Sequence, residues 1–299
     1  MEKRYELSAA TSGTFAIGGV LRVARLGFGA MRITGEGIWG PPADKNAALA
    51  VLKRTLELGI TLIDTADSYG PEMSELLIAD ALSPYPEGLV IATKGGLLRP
   101  GPGQWVPDGR PEHLRQALEG SLRRLRVDHL DVYQFHRPDQ NVPFEDSVGE
   151  IAKMKVEGKI RHVGLSNVTI DELARTQKIV PIVTVQNHYN LEKPPSERMT
   201  VQQSEAMIDL CARQGIGFLP WRPLATGELA RPGSALDQIA RRHDAQPGQI
   251  ALAWLLQRSP TVLPIPGTSS VKHLEENVNG AQIRLNQDEL EAINRPAHP

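Results

Sequence analysis

The chain reads as an α/β protein, a (β/α)8 barrel of the TIM class forming one domain over residues 1–299, with a short N-terminal β-hairpin. Three observations predict this. Short apolar runs alternate about eight times with stretches of helical apolar spacing. One joint recurs between them: Leu58-Gly59-Ile60, Glu157-Gly158-Lys159-Ile160 and Gln214-Gly215-Ile216 each read as a helix end, a C′ glycine and a strand. Three apolar runs in succession end in ionisable residues, Asp64, Lys94 and His136, which strand packing does not require.

Residues 5–17 carry Ser12-Gly13 between alternating segments and read as the hairpin, with Gly18-Gly19 as its exit. Residues 26–31 read as the first core strand, whose glycines permit a close backbone approach, and 35–42 as a loop bearing an exposed Trp39. Within 44–58, Ala48, Val51, Leu52 and Thr55 share one face of a helix that Gly59 ends. The unit then repeats. Residues 60–63 are strand and 72–82 helix; 89–93 are strand and 111–125 helix, with Pro111 suited to its first turn. Strand 130–135 precedes helix 144–156, and strand 160–165 precedes a helix opened by the capping box Thr169-Ile170-Asp171-Glu172. Strand 182–185 with helix 204–213, strand 216–219 with helix 247–256, and strand 261–265 with helix 271–278 follow, and 288–294 is a last short helix. A doubly wound open sheet is the alternative. Against it, Leu26-Gly27-Phe28-Gly29-Ala30-Met31-Arg32 lacks the third glycine of a dinucleotide fingerprint.

Composition narrows the function. Lys and Arg number 33 against 35 Asp and Glu, a formal charge of −2 without a basic run, which gives nucleic-acid binding no support. No apolar run is long enough for a bilayer, and Met1-Glu2-Lys3-Arg4-Tyr5 lacks the apolar region of a signal peptide. A lone cysteine, Cys211, excludes an internal disulfide and fits a reducing compartment. The expectation is a cytoplasmic protein without a membrane or nucleic-acid partner.

In a parallel barrel the C-terminal strand ends face the active site. Asp64, Lys94 and His136 end three neighbouring strands, and Tyr69 follows Asp64 closely. Taken singly each has a plain reading, such as an aspartate capping a turn under a packed tyrosine. Together they fit a proton relay to a developing alkoxide. A tyrosine titrates near pH ~10, and an ammonium beside it favours the phenolate. Lys94 is placed to do this to Tyr69, Asp64 to hold Lys94, and a neutral His136 to orient a carbonyl oxygen. Nucleophilic catalysis is not indicated: no GxSxG occurs, and Cys211 lies on an apolar helix face. No HxH or HExxH occurs, so no metal is expected.

Carbonyl reduction needs a hydride donor, so a nucleotide site is expected on the later strand ends. Ser166, Asn167 and Gln186 can bind a carboxamide; equally, the first two can cap a helix and the third can satisfy buried backbone. Trp221 can stack on a flat ring or simply pack. Pro266-Gly267-Thr268-Ser269-Ser270 opens a helix, which suits phosphate, or is an ordinary serine cap.

The chain resembles the aldo-keto reductases, in the bacterial branch that includes pyridoxal-reductase-like enzymes. The resemblance rests on Asp64-Thr65-Ala66 with Tyr69-Gly70, Ala92-Thr93-Lys94, and Leu130-Asp131 with Tyr133 and His136. It continues through Gly164-Leu165-Ser166-Asn167, Gln186-Asn187, Trp221-Arg222-Pro223-Leu224, and Ile265-Pro266-Gly267-Thr268 with Glu275-Glu276-Asn277. It implies a barrel that binds NADP(H) without a Rossmann domain and a tetrad of Asp64, Tyr69, Lys94 and His136, with Tyr69 as general acid. It implies that Ser166, Asn167 and Gln186 hold the carboxamide and that Trp221 stacks on nicotinamide. Leu224 and Gly227 would lie along the pyrophosphate, with Arg222 and Pro223 also in the cofactor set, and Glu276 and Asn277 would face the adenine. Met31, Arg32, Gly267, Thr268, Ser269, Ser270 and His273 complete the cofactor set it implies, and the hairpin would plug the barrel bottom. Members that strongly prefer NADPH often carry a basic residue just after the strand-eight proline or one turn on. Gly267, Ser269 and His273 stand there instead, which leaves NADP favoured and NAD possible.

The substrate is read as a small carbonyl compound. Met31, Trp39 and Trp105 fall in or beside rim loops as an apolar wall, and the loop 95–110 is placed to close over it. The branch points towards an aromatic aldehyde. The alternative reading is a nucleotide-binding regulatory subunit with slow turnover, resembling the β subunits of potassium channels.

Overall fold

A computed structural model describes residues 7–192, 198–224, 232 and 234–294. A 3-10 turn, Ala9–Ser12, leads into strands β1 (Thr14–Ile17) and β2 (Leu21–Ala24), an antiparallel pair. The expected hairpin exists, but shifted along the chain. Gly18 and Gly19 form its turn, at φ 60° and 79°, because consecutive glycines adopt left-handed backbone without steric cost. Gly13 caps the preceding 3-10 turn instead.

The staves follow: β3 (Phe28–Gly29), α1 (Lys45–Glu57), β4 (Leu62–Asp64), α2 (Met73–Leu82) and β5 (Val90–Gly95). Two short strands absent from the sequence reading, β6 (Leu97–Leu98) and β7 (Val106–Pro107), pair antiparallel within the 95–110 loop. Then come α3 (Pro111–Leu125), β8 (Leu130–Phe135), α4 (Phe144–Val156), β9 (Ile160–Ser166), α5 (Ile170–Gln177), β10 (Ile182–Gln186), α6 (Val201–Gln214) and β11 (Gly217–Phe218). Helices α7 (Ala235–Arg242), α8 (Pro247–Arg258), α9 (Val271–Gly280) and α10 (Gln287–Asn294) complete the described elements. The face foreseen for α1, Ala48, Val51, Leu52 and Thr55, is the buried one, and the capping box at Thr169 and Glu172 is formed. Helix α7 was not foreseen, although Ser234 caps it by accepting from the Asp237 amide.

Seven parallel strands lie in the order β11-β10-β9-β8-β5-β4-β3. Residues 261–266 close the circle. The Phe218 amide donates to the Thr261 carbonyl and the Leu263 amide to the Phe218 carbonyl, both at 2.8 Å. On the other side the amides of Gly27 and Gly29 donate to the carbonyls of Pro264 and Pro266, at 2.9 and 3.3 Å. The expected strand 261–265 is thus an irregular eighth stave, because its prolines have no N–H to give to a ladder.

Strand side chains alternate in and out. Leu62, Val90, Ala92 and Val132 form the inner cluster with Leu219, Leu263 and Ile265, and Ile17 and Val23 of the hairpin join it from below. Two residues further along each stave the inward position turns polar: Asp64 after Leu62, Lys94 after Ala92, Gln134 after Val132. The helices bury their apolar stripes against the outside of the sheet in a second cluster. No described helix is long and apolar enough to cross a membrane.

Candidate active site

The register that pairs Asp64 with Ala92 and Lys94 with Gln134 sets these polar residues side by side at the top of the barrel. The Lys94 ammonium is fully buried and donates to Asp64 Oδ2 at 2.6 Å, to the Thr65 carbonyl at 2.8 Å and to the Tyr69 hydroxyl at 3.2 Å. Asp64 Oδ1 accepts from Gln134 Nε2 at 2.9 Å and from Gln186 Nε2 at 2.8 Å. The carboxylate is therefore bonded on both oxygens, as a buried charge needs to be. His136 meets Tyr69 edge-on, with ring centroids 5.8 Å apart, and its Nδ1 lies 3.3 Å from the Ser68 hydroxyl. All four expected tetrad residues converge on one spot.

Electrostatics modify one expectation. Burial raises the Tyr69 phenol above its usual range, Lys94 opposes this, and Asp64 and Asp67 add to the rise. The ammonium does not make Tyr69 a phenolate in the resting protein, because desolvation outweighs it. Burial pushes the Lys94 ammonium down, but Asp64 and Tyr69 more than restore it, so its pKa is raised and it stays charged. Burial, with Lys94 and Arg137 nearby, holds His136 well below the ordinary histidine range and hence neutral.

A cavity of about 370 Å³ opens beside the eighth stave, lined by Met31, Arg32, Thr34, Gly35, Gly267, Thr268 and Ser269 among others. It lies before the N-terminus of α9, where first-turn N–H groups lack intrahelical partners. Ser270 caps that helix: its hydroxyl accepts from the His273 amide at 3.5 Å, and His273 itself is exposed. Gly29 and Gly267 touch here; a Cβ on Gly267 would stand 2.5 Å from the Gly29 carbonyl oxygen. Lys272 is well exposed, 3.8 Å from Glu276, while Asn277 is buried. Arg32 is the exposed cation on the cavity wall. A larger cavity of about 700 Å³ lies outside the barrel between α6, α8 and α10 and is lined by none of the strand-end residues.

The expected carboxamide residues are already bonded to one another. Asn167, at φ 58°, donates from Nδ2 to the His136 carbonyl and to Ser166 Oγ, and accepts from the Trp221 indole N–H at 3.1 Å. Gln186 gives its amide N–H groups to Asp64 and Gln134. Trp221 stacks on His188, with ring centroids 4.2 Å apart. The Arg222 carbonyl accepts from Asn190, Pro223 is buried, Leu224 packs against the core, and Gly227 lies outside the described residues.

Trp39 is half-buried rather than exposed, because the Arg99 guanidinium lies over its ring at 5.5 Å. The same guanidinium lies 3.6 Å from the Trp105 ring centroid, and Trp105 meets Tyr69 edge-on at 6.3 Å. Trp39 and Trp105 are thus brought together beside Tyr69, whereas Met31 lines the cavity at the eighth stave. Sequence reasoning missed Ser68, Arg99, Gln134 and His188. Gln134 carried a signal, a polar inward position on an otherwise apolar stave; Arg99 carried none.

The model of the aldo/keto reductase family matches residues 25–296. An uncharacterized oxidoreductase of Schizosaccharomyces pombe is 52% identical over 282 residues, covering 94% of this chain and 89% of that protein. Pyridoxine 4-dehydrogenase of Escherichia coli is 41% identical over 290 residues, covering 95% of this chain and 98% of that protein. The crystal structure of a thermostable aldo-keto reductase in complex with the inhibitor epalrestat superposes with a TM-score of 0.79 at 28% identity, covering 94% of this chain and 98% of that one.

Proposed function

The chain belongs to the aldo/keto reductase family, and from that premise we propose that it reduces an aldehyde to the alcohol with NADPH, Tyr69 giving the proton. The observation that carries this is the Lys94 ammonium between Asp64 and the Tyr69 hydroxyl. Lys94 donates to the phenol oxygen, so the phenol's own proton is left for a carbonyl oxygen. As that proton departs, the ammonium at 3.2 Å stabilises the phenolate left behind. Asp64, itself held by Gln134 and Gln186, and the Thr65 carbonyl hold Lys94 in place. The Ser68 hydroxyl lies 3.3 Å from His136 Nδ1; in the tautomer in which Ser68 donates, the imidazole proton sits on Nε2, where it can bind and orient the carbonyl oxygen.

When bound, the nicotinamide supplies the hydride. The cavity suits the phosphates of such a cofactor: it has helix N–H groups, the hydroxyls of Thr268 and Ser269 and one cation, Arg32, set against one carboxylate, Glu36. The Ser166 hydroxyl, with Asn167, would hold the carboxamide; Gln186 retains only its carbonyl oxygen for it. Trp221, backed by His188, would offer a ring face to the nicotinamide, and Glu276 and Asn277 would flank the adenine. NADPH is the favoured cofactor and NADH the alternative. The substrate class is a small aromatic aldehyde, in line with the named activity of the Escherichia coli relative. The balanced charge and single cysteine fit work in a reducing, cytoplasmic compartment.

The test is loss of reduced-nicotinamide absorbance on mixing protein, NADPH and benzaldehyde. Tyr69→Phe is expected to lower kcat/KM at least ~100-fold, while quenching of tryptophan fluorescence by NADPH persists. Equal, negligible turnover by both proteins across an aldehyde panel would refute the assignment. Separate titrations with NADPH and NADH decide cofactor preference; tighter NADPH binding is expected.

A further inference from the structure

Arg99 follows β6 directly and is only 9% exposed. Nη1 donates to the Ser68 carbonyl at 3.0 Å and Nη2 to the Gly37 carbonyl at 3.4 Å, while Nε is buried with no partner. Two indole faces, those of Trp105 and Trp39, flank the guanidinium. Among the described residues no carboxylate lies within ion-pairing distance of it. Arg124 pairs with Glu72 and Glu75, and Arg115 with Glu150 and Glu157, whereas Arg25 at the hairpin shares the carbonyl-only bonding and unpartnered Nε of Arg99 but lies far from Tyr69 and has no indole over it. Burying a cation without a counter-ion is unfavourable, and two carbonyls with two π faces offset that only in part.

The position of this charge has chemical meaning. Ser68, whose carbonyl Arg99 holds, precedes Tyr69 in the chain and meets His136 through its hydroxyl. Trp105 lies against both Arg99 and Tyr69. An aromatic aldehyde with its carbonyl at Tyr69 and its ring near Trp105 would bring its ring substituents close to Arg99. Resting on the reading above, we propose that Arg99 is a specificity-determining residue, the counter-ion for an anionic oxygen, phenolate or carboxylate, on the ring of the aldehyde substrate. The two tryptophans hold the guanidinium in plane, and the substrate supplies the negative charge the protein withholds.

The test compares kcat/KM, with NADPH, for 3- and 4-carboxybenzaldehyde and for their methyl esters, which match them in shape without the charge. The wild type is expected to favour at least one acid over its ester by about tenfold or more. In Arg99→Met that ratio is expected to fall to near one, and Arg99→Lys to restore part of it. A purely structural arginine, bracing the two tryptophans, would lower acid and ester alike in Arg99→Met and leave the ratio unchanged. That result, or a wild type that turns over acid and ester equally, overturns the proposal. The wild-type ratio decides even if Arg99→Met does not fold. Turnover of no aldehyde at all would instead refute the carbonyl-reductase reading on which this proposal stands.

Discussion

Lys94 is fully buried, with its one carboxylate, Asp64, at 2.6 Å. Removing the cation alone leaves that carboxylate buried with only amide partners. Lys94→Met is predicted to cost about 3–5 kcal/mol, and Asp64→Asn added to it is predicted to recover part; urea unfolding measures both. His136 stays neutral when folded but titrates near pH ~6.5 when unfolded. The unfolded chain then binds the extra proton below that pH, so the contribution of His136 is complete above about 6.5 and is lost as pH falls towards the depressed folded value. The melting midpoint should drop between pH 7.5 and pH 5.5, and drop less in His136→Gln. Asp67 is the reverse case. Burial raises its carboxyl well above the usual range, with Glu75 adding to the effect, and its Oδ1 has no partner. Stability from a protonated Asp67 is full below about pH 4 and declines as pH rises. Asp67→Asn is predicted to raise the melting midpoint by a few degrees at pH 7 and to change it little at pH 4. Asp64, Lys94 and His136 were legible because an ionisable residue ending an apolar run has no packing excuse, and Tyr69 because it follows Asp64 closely. Ser68 and Arg99 were not, because their partners arrive from other loops.

Helix α9 joins cap and candidate phosphate site in one element. Ser270→Ala removes the cap and is predicted to cost about 1 kcal/mol and to weaken NADPH binding, both read by melts with and without nucleotide. Gly267→Ala would press a methyl group against the Gly29 carbonyl. A loss of about 1–3 kcal/mol is expected, as for other overpacking, and an unchanged melt would contradict the close approach. Helices such as α1 and α3 were legible from periodicity with a cap or Pro at the start. Helix α7 went unread because its stripe, Leu236, Ile239 and Ala240, is short, though Ser234 three residues before Asp237 marked its start. Two-residue strands such as β6 and β7 hold no period to detect, and the hairpin was misplaced because Ser12-Gly13 and Gly18-Gly19 both read as turns.

The molecule as a whole reads from its alternation: eight staves and their helices were visible, and only the character of the eighth was hidden by its prolines. Cys211 reports on global integrity. Its thiol is wholly buried, and burial pushes it up to about 12. A thiol reagent at pH 8 is predicted to leave the native protein unlabelled and to label it fully in denaturant. The circle of staves also has a joint at which one side alone donates. Where the eighth stave meets the first, glycine amides reach proline carbonyls and no proline amide answers them. Arg32 stands on one side of that joint and Thr268 on the other. A dinucleotide bridging them would act as a rivet across a one-sided zip, so its arrival should slow deuterium uptake at Gly27 and Gly29 more than anywhere else around the ring.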